Sequence, residues 1–302
     1  ADINLMLTSM LRYAGFEAHP VLVSTISHGI PSTVASRSEF NYIISAVELT
    51  DDQYVLLDAS NPFTAPNILP TKCLNWHGQL IRPDGTSRKI QLNPKLPSKD
   101  NFIMNIKVME DGNLTGQMRR QYTNQYAYRY RNAFTAVNRE EYIEAIENEI
   151  GISVSDYKIQ NIENLSQPVV ETLSFEKQDA VDVINDNIYM SPLLFLAQEK
   201  NPFRQNQKNR KLPIDFTFPK SQKYMINIDV PDNYQVDYLP EPTAVSLPGN
   251  KGLYQFNIQK SPTGDLQIIV KQDLNQSILS AEYYQPVKDY YDIIIKKETD
   301  KI

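Results

Sequence analysis

The first residues of the chain carry apolar side chains at intervals of three and four. The spacing matches one side of a helix with 3.6 residues per turn. Asp2 supplies a carboxylate where it favours the helix dipole, and Gly15 is a typical C-terminal stop. We predict a helix over residues 2–14 with one apolar face, formed by Ile3, Met6, Leu7, Met10, Leu11 and Ala14.

Short apolar segments rich in β-branched residues follow this helix. Residues 18–24, 40–49 and 53–57 have the pattern of strands, and a polar turn at residues 50–52 joins the last two. Residues 61–99 are proline-rich and irregular, which indicates a connector. We therefore predict an α+β core over residues 1–97, with a domain boundary near residue 97.

Beyond this boundary the chain consists mostly of short alternating segments separated by Pro, Asn and Gly. A hairpin is predicted where the turn at residues 110–113 joins two such segments. The spacing favours an antiparallel β-sandwich over residues 98–302. The predicted strands cover residues 102–108, 114–122, 154–162, 169–175, 224–230, 253–258 and 266–270.

Helical patterns interrupt the second region. Residues 126–134 fit a short helix, and Asn138 with Glu141 forms a capping box that opens another. Ser280 is a candidate cap for a final helix over residues 282–296. The predicted fold class is α+β, in which a partial α+β core precedes an antiparallel β-sandwich with a few helices.

Composition indicates a globular protein and excludes several functions. Of the 302 residues, 41% are hydrophobic and 22% are charged, and 18 Tyr and 11 Phe can build sizeable cores. The net charge of −6 offers no basic face for nucleic acid, and the basic run at residues 204–211 is interrupted as in a solvated loop. No apolar run approaches the ~18 residues of a membrane-spanning helix.

The residue types give no support for a metal or a cofactor. The single cysteine, Cys73, excludes an intrachain disulfide and a zinc cluster of cysteine ligands. His19, His28 and His77 show no HExxH pattern. The acidic segment at residues 182–186 lacks the spacing of a calcium loop, so a polar turn is the favoured interpretation.

Two segments rich in tyrosine, residues 122–130 and 283–291, are candidates for a peptide- or glycan-binding face. The favoured interpretation is that their rings pack inward and leave the hydroxyl groups wet, as is common for tyrosine in an amphipathic segment.

Three segments of the first region resemble the transglutaminase-like branch of the papain-like superfamily. DINLMLTSMLRYAGFEAHPVLV is similar to the nucleophile helix and the strand after it, SEFNYIISAVEL to the second strand, and QYVLLDAS to the third. The resemblance implies a Cys–His–Asp site. In such a site a helix N-terminus lowers the thiol pKa, the histidine takes the proton, and the carboxylate orients the imidazole.

The resemblance places Asp58 at the position of the orienting carboxylate and Tyr42 at that of the histidine. The nucleophile position falls just before Ala1, so the nucleophile lies outside this chain or is absent. A free phenol titrates near ~10 against ~6.5 for imidazole, so Tyr42 is a poor base at neutral pH. Cys73 follows Asp58 along the chain and has His77 four residues further on, but a buried structural thiol is the favoured interpretation.

The later stretches NIYMSPLLFLAQEKNPF, KYMINIDVPDNYQVDYLP and SAEYYQPVKDYYDIIIKK extend the resemblance over nearly the whole chain. They are similar to the β domain that follows such cores in large, uncharacterised cell-envelope proteins of gram-negative bacteria. The resemblance implies that an N-terminal β domain and the start of the core lie outside this chain. It also implies export to the periplasm or the outer surface.

Two functions follow from this resemblance. The first is a non-catalytic binding or scaffold module whose ligand is a peptide, a glycan or an envelope protein recruited at a strand edge. The alternative is a cysteine protease, amidase or transglutaminase that retains Asp58 and whose nucleophile lies upstream of Ala1.

Overall fold

A computed structural model describes residues 1–30, 37–50, 53–203, 210–262 and 264–302. Helix accounts for 24% of the structure and strand for 39%, so the predicted α+β class is confirmed, with a large β component. Residues 51–52 of the predicted turn and residues 204–209 of the basic run lie outside the described residues.

The first unit consists of one helix packed on a five-stranded antiparallel sheet. The strand order is β3-β2-β1-β4-β5, and the predicted pairing of the second and third strands is confirmed. Apolar side chains from the sheet and from the following loop form a buried cluster that includes Val21, Ile44 and Leu80. The elements are α1 (Asp2–Tyr13), β1 (Ala18–Val23), β2 (Tyr42–Thr50), β3 (Gln53–Leu57), β4 (His77–Ile81) and β5 (Ser87–Gln91).

The prediction that residues 61–99 form an irregular connector is wrong in part, because β4 and β5 lie within it and extend the first sheet. Between these two strands Gly85 adopts a φ of 84°, and Asp84 Oδ1 accepts a hydrogen bond from the Thr86 backbone N–H. The sequence Pro83-Asp84-Gly85 is a turn signal of this kind. Each strand is short and alternates with polar residues, so the hydrophobic pattern alone does not reveal the pair.

The buried face of α1 differs from the predicted one. Ile3, Met6 and Met10 are exposed, whereas Asn4 and Thr8 are buried against the sheet. The polar side chains are drawn inward because the facing surface of β2 presents polar partners. The Thr8 and Ser45 hydroxyl groups lie 2.8 Å apart, and both donate to the Asn4 carbonyl oxygen.

The second unit is built on one continuous eight-stranded sheet. Its strand order is β14-β15-β16-β13-β6-β7-β9-β8, and two small two-stranded sheets pair β10 with β11 and β12 with β17. The strands are β6 (Ser98–Val108), β7 (Leu114–Tyr122), β8 (Ser153–Gln160), β9 (Val169–Lys177), β10 (Asp182–Ile184), β11 (Asn187–Tyr189), β12 (Ile214–Asp215), β13 (Lys220–Asp229), β14 (Thr243–Leu247), β15 (Gly252–Lys260), β16 (Leu266–Leu274) and β17 (Ile278–Leu279).

This sheet corrects the predicted sandwich. The sequence pattern predicts two antiparallel sheets packed face to face, but β13 pairs with β6 in parallel and joins the strands into one sheet. The six other pairings that link the eight strands are antiparallel. Unlike the strands of a hairpin, β6 and β13 are far apart in the chain. A pattern of short strands gives no information about such a distant pairing.

Three helices accompany the second sheet: α2 (Asn124–Thr135), α3 (Arg139–Ile150) and α4 (Tyr284–Glu298). The predicted capping box at the start of α3 is confirmed, since Asn138 Oδ1 accepts from the Glu141 N–H and Glu141 accepts from the Asn138 N–H. Gly151 ends this helix in the left-handed conformation.

The two units are joined by direct contacts, some of which are buried. Phe218, from the loop before β13, is fully buried in the core cluster of the first sheet. Trp76 Nε1 donates to Asp215 Oδ2, and the Gln125 amide donates to the Leu69 carbonyl oxygen. The boundary near residue 97 remains a prediction.

Candidate functional site

Tyr42 and Asp58 meet at one end of the first sheet. Tyr42 opens β2, Asp58 directly follows β3, and the Tyr42 hydroxyl donates to Asp58 Oδ2 at 2.9 Å. Ser60 completes the group, because both its backbone N–H and its hydroxyl donate to Asp58 Oδ1, at 2.7 and 2.6 Å. The Ser60 and Tyr42 hydroxyl oxygens lie 2.5 Å apart. Hydroxyl and backbone donors from Tyr42 and Ser60 therefore surround the carboxylate.

The electrostatic setting keeps Tyr42 protonated. Burial raises the pKa of the Tyr42 phenol, and the negative charge of Asp58 raises it further, while the hydrogen bond with Ser60 acts in the opposite direction. The Lys72 ammonium lies 4.5 Å from the centre of the Tyr42 ring. At neutral pH Tyr42 is a hydrogen-bond donor and cannot take up a proton as a general base.

Helix α1 begins beside this group because Asn4 links it to both neighbouring strands. The Asn4 amide nitrogen donates to the Ile43 carbonyl oxygen, and its Oδ1 accepts from the Ala59 N–H, both at 2.8 Å. Ile43 and Ala59 are the residues next to Tyr42 and Asp58. The N-terminal end of α1 is thus held at the Tyr42–Asp58 pair.

Cys73 is buried, and its thiol has low reactivity. It lies in a short 3₁₀ turn after the loop and is fully shielded from solvent. Burial raises the pKa of the Cys73 thiol to about 12, and the charge of Asp58 contributes in the same direction. The favoured interpretation of Cys73 as a buried thiol is confirmed. The effect of the Asp58 charge on the Cys73 pKa could not be predicted from the sequence.

The three histidines take no part in this group. His28 Nε2 lies 2.9 Å from the Ser38 carbonyl oxygen, and His19 lies beside Glu17 and Glu48. His77 is in β4, where burial lowers the pKa of its imidazole. Within the described residues no histidine side chain hydrogen-bonds to Asp58, so a thiol–imidazole–carboxylate arrangement is not assembled there.

A cleft of about 190 Å³ opens beside the loop that follows Asp58, although Asp58 itself does not line it. Thr64 connects the two, since its hydroxyl donates to the Asp58 carbonyl oxygen while neighbouring Phe63 lines the cleft. The far wall comes from α2 and from the loop between β8 and β9. Arg131 holds that loop by donating to the carbonyl oxygens of Asn161, Ile162, Asn164 and Gln167.

Two other sequence candidates have structural roles. Asn185 and Asp186 form the turn between β10 and β11, both with positive φ, so the polar-turn interpretation of this segment is confirmed. In the aromatic segments Tyr122, Tyr130 and Tyr290 are buried, which matches rings that pack inward.

Sequence reasoning missed Ser60 and Asn4 as members of the site. Ser60 stands two residues after Asp58, a spacing at which a side-chain oxygen commonly accepts from the backbone two residues on, so a local signal existed. Asn4 had a weaker signal, as a polar residue within an apolar helical pattern.

Comparison with known proteins gives a partial assignment. Residues 186–302 match the family described as a domain of unknown function with solved structure, DUF3858. No curated protein matches the chain. A solved structure from Parabacteroides distasonis, described as a "putative protease", is similar over 99% of this chain at 10% identity, with a TM-score of 0.48. This chain covers 42% of that protein, less than half of its length.

Taken together, the fold and the comparisons define a mixed α+β protein whose C-terminal residues match a domain family of unknown function. Across the described residues, none of the helices combines the length and apolar character needed to cross a bilayer.

Proposed function

We propose that this chain is a non-catalytic binding module built on a transglutaminase-like core. The observation that supports the proposal most strongly is the Tyr42 hydroxyl on Asp58 Oδ2, at 2.9 Å. In a working Cys–His–Asp site the carboxylate orients an imidazole. Here the phenol takes that hydrogen bond, and it cannot act as a base at neutral pH.

The cleft beside the loop that follows Asp58 is the proposed binding site, and a peptide or a glycan is the proposed ligand. Aromatic, amide and hydroxyl groups line it, including Phe63, Asn124, Ser166 and Gln167. Such a mixture suits the apolar faces and polar groups of both ligand classes. Arg131 holds one wall in place, so the cleft is formed before a ligand arrives and the cost of ordering it is reduced.

Backbone NMR titration tests this site. The probes are a disaccharide–tetrapeptide fragment of peptidoglycan and the free tetrapeptide, which separate glycan from peptide recognition. We expect saturable shifts around the cleft that Phe63→Ala weakens, and that Phe16→Ala, at an exposed position on the first unit, leaves unchanged. An absence of binding by both probes, or shifts confined to other surfaces, would contradict the proposal.

The alternative is a cysteine protease, amidase or transglutaminase whose nucleophile lies upstream of Ala1. The placement of the α1 N-terminus beside Asp58 by Asn4 favours it, because a helix N-terminus lowers a thiol pKa. This function would require an imidazole within ~3.2 Å of Asp58. Replacement of Asp58 by Asn in the natural-length protein should then abolish hydrolysis of a peptide library, whereas a non-catalytic module shows no hydrolysis to lose.

We further propose export to the periplasm or the outer surface and a protein partner in the envelope. The resemblance to envelope proteins supports the location, and the edge strands β8 and β14 of the large sheet support partner recruitment by strand addition. Fractionation of the natural-length protein in its host tests the location, and recovery in the cytosol would contradict it.

A further inference from the structure

A second cluster of polar side chains lies at the opposite end of the first sheet from Tyr42. It consists of Glu17, His19 and Glu48. Tyr42 and Glu48 are both in β2, six residues apart, which corresponds to roughly 20 Å along a strand. The cluster is therefore separate from the Tyr42–Asp58 group.

Strand pairing puts the three side chains on one face. His19 lies opposite Ala46 in the antiparallel pairing of β1 with β2, and Glu48 and Glu17 are two residues further on along the same pair. Residues at intervals of two point to the same side of a sheet. The Glu48 N–H donates to the Glu17 carbonyl oxygen at 2.8 Å, which fixes the two glutamates side by side.

His19 is the unusual member of this cluster. Its exposed fraction is only 3%, yet neither ring nitrogen has a hydrogen-bond partner among the described residues. Nε2 nevertheless points toward the carboxylates, at 3.3 Å from Glu48 Oε2 and 3.7 Å from Glu17 Oε1. A buried imidazole without a hydrogen-bond partner normally costs free energy, and a ligand bound to the ring would remove that cost.

We propose that Glu17, His19 and Glu48 bind a divalent transition-metal ion, with Zn²⁺ as the best match. Ligand atoms bonded at ~2.0–2.1 Å in a tetrahedral site lie about 3.4 Å apart, close to the two observed separations. An imidazole nitrogen with carboxylate oxygens suits zinc better than Mg²⁺ or Ca²⁺, which prefer oxygen ligands alone.

The charge of the cluster fits a cation. The Arg82 guanidinium donates to both oxygens of Glu48, at 2.8 and 3.1 Å, and neutralises one carboxylate. Within the described part of the chain Glu17 is paired with no Lys or Arg side chain, so with a neutral imidazole the group carries one net negative charge. Glu48 Oε1 also accepts from the Tyr54 hydroxyl, whereas Oε2, the oxygen nearest His19, has a second lone pair that is open to a metal.

Bound zinc would join the start of β1 to β2 near the end of α1. Glu17 is largely exposed, with a side chain at 68%, so the ion would have access to solvent on that side. This structural role for zinc is separate from the proposed peptide or glycan site, and the zinc proposal does not depend on the proposed function.

Isothermal titration of metal-free, tag-free protein with Zn²⁺ tests the site. We expect one saturable site and at least a tenfold loss of affinity in Glu17→Gln, which removes one ligand charge at an exposed position and leaves the fold intact. His28→Gln is the matched control, because it removes an exposed imidazole elsewhere and should leave the affinity unchanged.

NMR of the histidine rings tests whether His19 is the histidine that binds the ion. Zn²⁺ should shift the ring ¹⁵N signals of His19 and leave those of His28 and His77 in place. The proposal is overturned if no saturable binding occurs, if Glu17→Gln binds as tightly as the natural sequence, or if the His19 signals stay unchanged.

Discussion

The hydroxyl of Tyr42 can be removed without altering the ring. Tyr42→Phe leaves Asp58 Oδ2 without its tyrosine donor, and Asp58 is 6% exposed. A hydrogen bond to a buried charged group contributes about 2 kcal/mol, so we expect the free energy of unfolding to fall by about that amount. Chemical denaturation measures it. Tyr13→Phe is the matched control, since Tyr13 is 98% exposed, and equal stability of the two variants would contradict the role given to Tyr42.

The buried carboxyl of Glu298 predicts a pH effect. Burial raises its pKa from an ordinary 4.5 to about 7, against the hydrogen bond from the Gln198 N–H that lowers it. The folded state therefore binds the proton more tightly than the unfolded state does. The stability that comes from the protonated form is complete below pH 4.5 and is lost as the pH rises through 7.

Glu298→Gln isolates this effect, because the amide does not titrate. The natural protein should lose about 3 kcal/mol relative to the variant between pH 4 and pH 8, as expected for a shift of this size. Urea denaturation across that range gives the difference. A difference between the two proteins that does not change with pH would show that Glu298 stays ionised in the fold.

At the scale of elements, α1 offers a direct comparison of its two faces. Asn4→Ala removes the amide that serves Ile43 and Ala59, and the unpaired backbone groups should cost about 2 kcal/mol. Met6→Ala changes a side chain that is 64% exposed and should cost less than about 0.5 kcal/mol. Thermal unfolding of both variants measures the contrast. A larger loss for Met6→Ala would mean that the apolar face is the one that packs.

The elements also show what the sequence could predict. All ten predicted strand segments correspond to observed strands, because alternation and turn residues are local properties. These strands are β1, β2, β3, β6, β7, β8, β9, β13, β15 and β16. The inward face of α1 could not be predicted, since it depends on polar partners supplied by β2 from a distant part of the chain. The same reason applies to the parallel pairing of β6 with β13.

For the candidate site, the sequence indicated two residues whose role stays a prediction. The positions of Asp58 and Tyr42 came from the family resemblance, and the structure brings these two side chains into contact. The contact of Ser60 with Asp58 is local, but the roles of Asn4 and the cleft depend on how strand ends and a helix end meet in space. No pattern along the chain encodes those distances.

At the scale of the whole molecule, Phe218 connects the two units. Its fully buried ring packs edge-on against Tyr126, with ring centres 5.4 Å apart, and belongs to the core of the first sheet. Phe218→Ala should cost about 3–5 kcal/mol and should separate a single unfolding transition into two. Calorimetry tests this, with the half-exposed Phe16→Ala as the control. One unchanged transition in Phe218→Ala would contradict the coupling.

The central claim, that the Tyr42–Asp58 group does not support catalysis, is tested most directly by thiol labelling of the natural-length protein. A cysteine-directed probe is applied under native conditions at pH 7, and the labelled peptides are identified by mass spectrometry. We predict no rapid labelling, with Cys73 reacting only on unfolding because its pKa is about 12. Rapid labelling at a cysteine upstream of Ala1, lost in Asp58→Ala, would contradict the claim and establish an active thiol.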